Sequence, residues 1–498
     1  MNDYIFKSAP FGHQLECFRR SRDMEAFAIL FKMGLGKSKV AVDTAAYLYG
    51  LGRIDSLVIL APNGVHLKWL KEDIPFSLPD HIEYTAACWQ AGNAAALAAC
   101  RGMAQQRGIQ LKILCANIEA LSYKAFPEFL KSFLMSHRAL VVVDESTRIK
   151  NVEAGRTKTL YKLSKYMTYR RILTGSSVVN APEDLYGQFC FLDEEILGQS
   201  YYAFKATYSV LREMNDPVML AIKQKLDKKA RLPQVVNKDA DGNPMYRNLD
   251  KLRALIAPYS MIVNKEDALD LPPKTYSRRY FFMTPKQQQI YDTLLKDYVV
   301  ELEDSMVSVL HKMTLLAKLQ QIALGFVNDD TRNAVFLHDK PEDNPRIQVL
   351  LELLEDIEGQ AIIWTSHINA IKQIMHVLAG SAVPYYGEVS TEQRAKNLDL
   401  FRSGQVKYLI GTPRTGGIGL NMTNAADVVY YSNSFDYQDR VQSEDRVHRI
   451  GQTAENVHYI DIEAVATIDQ HIRRALERKQ NLSNYIQQSE GIDYRKPI

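Results

Sequence analysis

The sequence predicts an α/β protein of two lobes, each a parallel sheet covered by helices, with helical insertions between them. Three observations point there. Short apolar runs alternate with amphipathic stretches, as buried parallel strands and covering helices require. The alternation breaks near Phe189 and returns at Ala361. A glycine–lysine loop follows the first apolar run and opens a helix, the usual context of a phosphate site in such folds.

In chain order, Ala26–Leu30, Ser56–Ala61, Lys112–Ala116, Ala139–Asp144 and Arg171–Thr174 read as buried strands, with a helix from Val40 to Tyr49 after the first. From Phe189 to about Asp330 the pattern reads mostly helical, rich in Lys, Leu, Met and Tyr. Leu271-Pro272-Pro273-Lys274 interrupts it and marks a linker, because proline carries no N–H and cannot continue a helix. Strands are expected again at Ala361–Thr365, Val383–Tyr386, Val406–Gly411, Asp427–Ser432 and His458–Ile462, and a closing helix at 467–486. The expected division is a first lobe at 1–270, with a helical insertion from about 190, and a second at 271–498, with a helical insertion at 280–330.

The chemistry sits at three places. In Met33-Gly34-Leu35-Gly36-Lys37-Ser38, backbone N–H groups at a helix start face an anion, and glycines let the backbone approach it. Lys37 would meet β- and γ-phosphates and Ser38 would ligate Mg²⁺. Phe31 stands where the longer phosphate-loop pattern has its first glycine. Second, Leu140-Val141-Val142-Val143-Asp144-Glu145 is a strand ending in two carboxylates, and the carboxyl end of a central strand is where α/β proteins bind ligands. Asp144 would hold Mg²⁺ through water, and Glu145 would orient or deprotonate an attacking water. Third, Arg446 and Arg449 lie three residues apart, on one face of an expected helix, and could stabilise charge on a phosphate undergoing transfer.

Bulk properties leave the partner open. The chain has 498 residues, 46% hydrophobic and 24% charged, which suits an ordinary soluble protein of several domains. A net charge of +3 excludes a globally basic coat but not a local basic groove. Cys17, Cys88, Cys100, Cys115 and Cys190 are scattered without a CxxC pair, which points to reduced thiols inside a cell. No run reaches membrane-span length and no signal-peptide pattern opens the chain.

Taken together these segments resemble the Swi/Snf-type ATPases of helicase superfamily two, over nearly the whole chain. Gln14 matches the family's adenine-reading glutamine, and Met33 to Ser38 its phosphate loop. Leu60-Ala61-Pro62-Asn63, followed by Trp69, is similar to a DNA-contacting segment. Asp144-Glu145-Ser146-Thr147-Arg148-Ile149-Lys150-Asn151 matches the acidic motif with its Arg-Ile-Lys-Asn tail. Leu173-Thr174-Gly175-Ser176-Ser177 resembles the coupling motif, Leu271 to Lys274 the interlobe marker, and Gly416 to Asn421 the glycine-rich DNA-coupling loop. Gln442 through Gln452 resembles the arginine-finger helix almost letter for letter. Three departures stand out: Thr147 for the usual histidine, Thr415 for an alanine, and Phe435-Asp436-Tyr437 for Trp-Asn-Pro.

The resemblance implies two RecA-like lobes sharing one ATP and Mg²⁺. Lys37, Asp144, Glu145, Arg446 and Arg449 would be catalytic. Gln14, Met33, Gly34, Leu35, Gly36, Lys37, Ser38, Gly417 and Gln442 would bind the nucleotide. Asn63, Lys68, Lys150, Thr412, Arg414 and Gly416 would contact DNA, mainly at phosphates. Trp69 and Trp364 lie on apolar stretches and are expected in the core. The implied protein is a compact, monomeric, DNA-dependent ATPase moving on double-stranded DNA, with forked or branched DNA as a further substrate and no membrane partner. Its lack of reader domains suggests a bacterial or viral setting, in the cytoplasm; in a eukaryote the compartment would be nuclear. A strand-separating or branch-migrating helicase, and a non-cycling ATP-gated DNA clamp, are the competing readings.

Overall fold

The computed structural model describes residues 4–63, 65–106, 110–175, 181–213, 234–239, 244–304, 309–329, 333–416 and 421–486. Ser176, Ser177 and Gly417 to Leu420 lie outside the described residues, so the end of the coupling motif and most of the glycine-rich loop do too.

The chain divides into two compact units. One comprises Met1–Leu211, Val236–Asp270 and Asn481–Ile498; the other comprises Arg212–Val235 and Leu271–Gln480. We call them the first and second lobes.

The first lobe is built on β1 (Ala26–Phe31), β2 (Ser56–Ala61), β3 (Tyr84–Trp89), β4 (Leu111–Asn117), β5 (Ala139–Asp144) and β6 (Tyr169–Leu173). A two-stranded ribbon, β7 (Leu211–Glu213) with β8 (Gln234–Val236), comes next in the chain, and β9 (Ser260–Val263) returns to the main sheet. The sheet has seven strands in the order β3-β4-β2-β5-β6-β1-β9, every pair parallel. Side chains alternate between two apolar layers, as a pleated strand buried on both faces must arrange them. Ala28, Leu30, Val141 and Val143 enter one layer; Phe27, Ile29, Phe31, Leu140 and Val142 enter the other. Each such buried aliphatic side chain contributes roughly 1.5–3 kcal/mol.

The second lobe contains β10 (Lys274–Phe281), the hairpin β11 (Phe326–Asn328) and β12 (Ala334–Phe336), β13 (Ala361–Trp364), β14 (Ala382–Tyr385), β15 (Tyr408–Gly411), β16 (Asp427–Tyr430) and β17 (Val457–Ala464). Its main sheet runs β10-β17-β16-β13-β15-β14, again wholly parallel. The same alternation recurs: Ile363, Ile410 and Val429 face one layer, and Ile362, Trp364, Leu409 and Val428 the other. The fully buried Arg346 pairs with Asp469 and lies 5.1 Å from the Phe281 ring centroid, which fixes the helix Pro345–Glu355 against the base of the last helix.

The expectation of two parallel α/β lobes therefore holds, with three amendments. The stretch from Phe189 to Asp330 is not helical throughout, since it holds β7 to β11 beside the helices Tyr201–Tyr208, Leu249–Ile256, Pro285–Asp304 and Val309–Ala323. β10 escaped detection because it is an edge strand reading Lys-Thr-Tyr-Ser-Arg-Arg-Tyr-Phe, largely exposed and without an apolar run. The second lobe does not keep the chain's end. From Asn481 the final helix, Ile468–Ile486, counts with the first lobe, where Leu482 packs on the apolar layer of Ala28 and Val141. Among the described residues no helix is long and apolar enough to cross a membrane.

Candidate functional site

In the first lobe, β1 and β5 flank β6, and the loops leaving β1 and β5 carry the expected phosphate loop and acidic pair. Helix α1 (Gly12–Ser21) precedes β1, and helix α2 (Lys37–Gly50) follows the loop. Gly36 caps α2 with φ 74, a left-handed conformation that glycine adopts without strain. A Cβ there would also overlap the Gln14 amide. That amide is part of a clamp: Gln14 Nε2 donates to the Leu35 carbonyl at 3.1 Å, and Phe11 N–H donates to Gln14 Oε1 at 3.0 Å. His13 Nε2 lies 2.9 Å from the same Leu35 oxygen; a carbonyl only accepts, so Nε2 carries the proton. Gln14 is thus buried on the loop. Helix α1 is in turn fastened by the fully buried Arg171 of β6. Its guanidinium donates to the carbonyls of Ser21 and Met24 at 2.7 Å, Arg170 at 2.8 Å and Glu25 at 3.2 Å. Burial pushes the Arg171 pKa down to about 10.

Lys37 opens α2, and its Nζ donates to the Phe31 carbonyl at 3.1 Å. Ser38 follows, half-buried like Met33, while Gly34 is exposed and Leu35 is fully buried. At the same carboxyl end of the sheet, Asp144 is buried at the end of β5. Its Oδ2 accepts from Trp69 Nε1 at 2.9 Å, and its Oδ1 accepts from the Glu145 N–H at 2.9 Å. Burial raises the Asp144 pKa; the Trp69 bond and the charge of Lys37 pull against that rise without cancelling it. Lys37 and Asp144 therefore feel one another's field. Glu145 adopts φ 51, uncommon for a residue with a side chain, a strain of order 1–3 kcal/mol of the kind that clusters at working sites.

The acidic motif rests on a close backbone contact. A short 3-10 turn, Ser146–Ile149, follows Glu145, and the helix Glu183–Leu192 lies against it at Gly187. A Cβ on Gly187 would stand 2.5 Å from the Ile149 carbonyl oxygen and 2.6 Å from that of Lys150, so only glycine fits. Ser146 Oγ donates to Gln188 Oε1 at 2.7 Å across the same contact. Thr147 is buried.

The expected DNA-contacting residues fall in several places. Asn63 sits exposed in the turn after β2. Lys68 is paired with Asp73 at 2.9 Å, and its charge also reaches Asp144. Lys150 lies 3.4 Å from Asp184. In the second lobe, Thr412 Oγ1 donates to Thr415 Oγ1 at 2.8 Å, and Arg414 is exposed on the one-turn helix Pro413–Gly416.

Arg446 and Arg449 need a correction: neither is on a helix. The helix Tyr437–Glu444, which holds Gln442, ends before them, and 445–451 run as consecutive turns. Past Glu444 the backbone tightens: Arg446 N–H donates to the Ser443 carbonyl at 3.3 Å and Val447 N–H to that of Glu444 at 3.2 Å, three residues back, and the Arg446 carbonyl accepts from Met422 N–H at 3.1 Å. Arg446 is buried and Arg449 half-buried, the latter with its pKa lowered by burial. The preceding helix is anchored by Arg440, which donates to Asp461 Oδ1 at 2.6 Å and to Glu444 Oε1 at 2.8 Å, and stacks 3.5 Å from the Tyr430 ring centroid.

Sequence reasoning missed the Trp69 bond to Asp144. Trp69 is fully buried, as its apolar setting suggests, and so is Trp364, but a buried indole N–H needs an acceptor, and this one is 75 residues away in sequence. Gly187 and the Arg440 cluster left no local signal either.

Two family models match the chain: the SNF2-related domain over residues 17–324 and the helicase conserved C-terminal domain over residues 345–451. The Bacillus subtilis protein YwqA is 26% identical over 70% of the chain and 36% of its own length. An uncharacterized ATP-dependent helicase of Mycoplasma genitalium is 24% identical over 91% of the chain and 39% of its own length. The mouse chromodomain-helicase-DNA-binding protein 1-like is 23% identical over 91% and 47%. The chain spans less than half the length of each of these three relatives. Among solved structures, the Sulfolobus solfataricus SWI2/SNF2 ATPase core in complex with dsDNA aligns with TM-score 0.41 and 21% identity, covering 99% of this chain and 96% of that one.

Proposed function

The chain belongs to the SNF2-related family, and from that premise we propose that it is an ATP hydrolase that moves along double-stranded DNA. One observation carries the hydrolase reading. A buried aspartate at the carboxyl end of a central strand, oriented by an indole, lies within the field of a lysine that opens the helix after a glycine loop. That set fits a nucleotide triphosphate. Lys37 and the first N–H groups of α2 offer positive charge to β- and γ-oxygens. Ser38 and Asp144 would hold Mg²⁺, which supplies charge neutralisation on the phosphates. Burial leaves Asp144 as a carboxylate short of compensating charge, the condition a divalent cation relieves. Glu145, beside it and held in a left-handed turn, aligns water and takes its proton. In the proposed cycle Arg446 and Arg449 serve the same triphosphate; arginines in that role change rates by roughly 10³–10⁵-fold.

The DNA half of the reading is supported by family membership and by relatives that carry helicase in their names. Mostly phosphate contacts, through Lys68, Lys150, Arg414 and backbone N–H groups, would make affinity fall with salt, with a log–log slope of about −0.9 per contact.

The test is ATP turnover with single-stranded, double-stranded, forked and four-way DNA and with RNA, beside triplex-displacement and strand-displacement assays. Duplex-stimulated turnover with triplex displacement and no unwinding is expected. Unwinding of a forked duplex would favour a strand-separating helicase, and ATP binding without DNA-stimulated phosphate release would favour a gated clamp. Glu145→Gln is expected to end turnover while ATP and DNA binding persist, since the phosphate cradle is untouched.

A further inference from the structure

The Leu271-Pro272-Pro273-Lys274 segment is a motif that the proposed chemistry leaves without a task. It enters the second lobe, and its last residue begins β10. Within that lobe it grips the arginine-bearing turn at two points. Lys274 Nζ donates to Glu444 Oε2 at 3.0 Å, and His448 Nε2 donates to the Pro272 carbonyl at 2.9 Å. Glu444 and His448 stand on either side of Arg446, with Arg449 next in the chain. The same three linker residues therefore hold both ends of the loop that presents the arginines.

We propose that Lys274 and Glu444 are positioning residues for the phosphate-stabilising arginines, joining the interlobe segment directly to the turn that carries them. The proposal rests on the reading that Arg446 and Arg449 serve the triphosphate. The Glu444 carboxylate already accepts from Arg440 Nε at 2.8 Å and from Tyr276 OH at 2.9 Å. A further cation brought to that buried carboxylate adds little net stability, because its desolvation offsets the attraction. What Lys274 adds is a fixed distance between segment and turn. Both partners are mostly buried, with side-chain exposures of 23% and 10%. Burial pushes the Glu444 pKa up, but Lys274 and Arg440 outweigh it and hold the carboxyl below its ordinary value. For Lys274, burial opposes the charge and Glu444 more than restores it, so the ammonium is held as a cation. Pro272 has a fixed φ and cannot donate, which keeps the second grip short and stiff. A displacement of residues 272–274 thus reaches Arg446 through two bonded contacts on the same segment.

The experiment uses the full chain and DNA-stimulated ATP turnover. Lys274→Met, Glu444→Gln, the double variant and Arg449→Ala are compared for kcat, KM for ATP and melting temperature. Lys274→Met and Glu444→Gln are each expected to lose about 10- to 100-fold in kcat, as a misplaced catalytic group does, with KM for ATP changed less than about twofold. The double variant should be no slower than the slower single, since both break one link. Lys274→Arg, which keeps the charge, should recover part of the rate. Wild-type kcat in a folded Lys274→Met protein overturns the proposal, as do losses that multiply in the double variant. If Lys274→Met does not fold, Lys274→Ala, which also removes the donor, takes its place under the same criterion. An inactive Arg449→Ala beside a fully active Lys274→Met removes only the positioning role; a fully active Arg449→Ala removes the reading beneath it.

Discussion

The two lobes share a parallel-sheet plan yet hold their candidate functional groups by opposite means. In the first lobe the groups that would meet the nucleotide touch neutral partners. Lys37 rests on the Phe31 carbonyl, Asp144 on the Trp69 indole and a backbone N–H, and Gln14 on the Leu35 carbonyl. In the second lobe the support behind the arginine turn is ionic: Arg440 with Asp461 and Glu444, and Glu444 with Lys274. Dipoles leave charge available for a ligand, whereas ion pairs cancel charge and fix geometry. Under the proposed function, the first lobe would receive a charged group and the second would aim one.

The largest expected effect is on the aimed group. Arg449→Ala should slow turnover by roughly 10³–10⁵-fold, or about 4–7 kcal/mol of barrier, with the melting temperature nearly unchanged. A rate close to wild type would end the contrast, because nothing would then be aimed. Next comes the ionic support itself. Asp461→Ala removes one of the two carboxylates that hold the buried Arg440 and should cost about 3 kcal/mol of stability, the low end for a broken buried pair because Glu444 remains, read by chemical denaturation. An unshifted midpoint would mean that the cluster is solvated and the comparison overdrawn. Third is the neutral support of the first lobe. Trp69→Phe removes a hydrogen bond to a charged group, about 1.5–3 kcal/mol, and should lower kcat on the order of tenfold or more. An effect on melting alone would make Trp69 a packing residue.

The smallest effect is a difference in sign with pH. Glu444 is held below its ordinary 4.5, because Lys274 and Arg440 outweigh burial. Its stabilising contribution is complete above pH 4.5 and is lost as pH falls through the lower, folded value. Asp144 is raised above 3.8 by burial, so its contribution is greatest below pH 3.8 and declines as pH rises through the folded value. The melting difference between wild type and Glu444→Gln should therefore shrink on acidification below pH 4.5. The corresponding difference for Asp144→Asn should move the other way, and parallel curves would erase the distinction.

The parts of this architecture that sequence reveals are those written locally. The apolar run of β1, the glycines after it, the start of α2, and the run of β5 with its terminal carboxylates are each contiguous, and their spacing carries the chemistry. What stays hidden depends on partners far apart in the chain. Trp69 reads as a core residue, and nothing nearby reveals its bond to Asp144. Gly187 reads as a weak point in a helix, although it is the place where that helix meets the acidic motif. Arg446 and Arg449 read as helical because their spacing suits a helix, but past Glu444 the turns close three residues back and Met422 takes the Arg446 carbonyl. β10 hides because an edge strand exposed along most of its length needs no apolar run.

The return of the final helix to the first lobe bears on how this protein can be dissected. Leu482 covers part of that lobe's apolar layer, and Ser483 beside it is fully buried. A fragment cut after Asp270 would lack a cover that only the distal end of the polypeptide supplies, and would present bare hydrocarbon to water. Measurements on such an isolated amino-terminal half would report a weakened, association-prone object, so the undivided chain is the smallest faithful specimen for thermodynamic work.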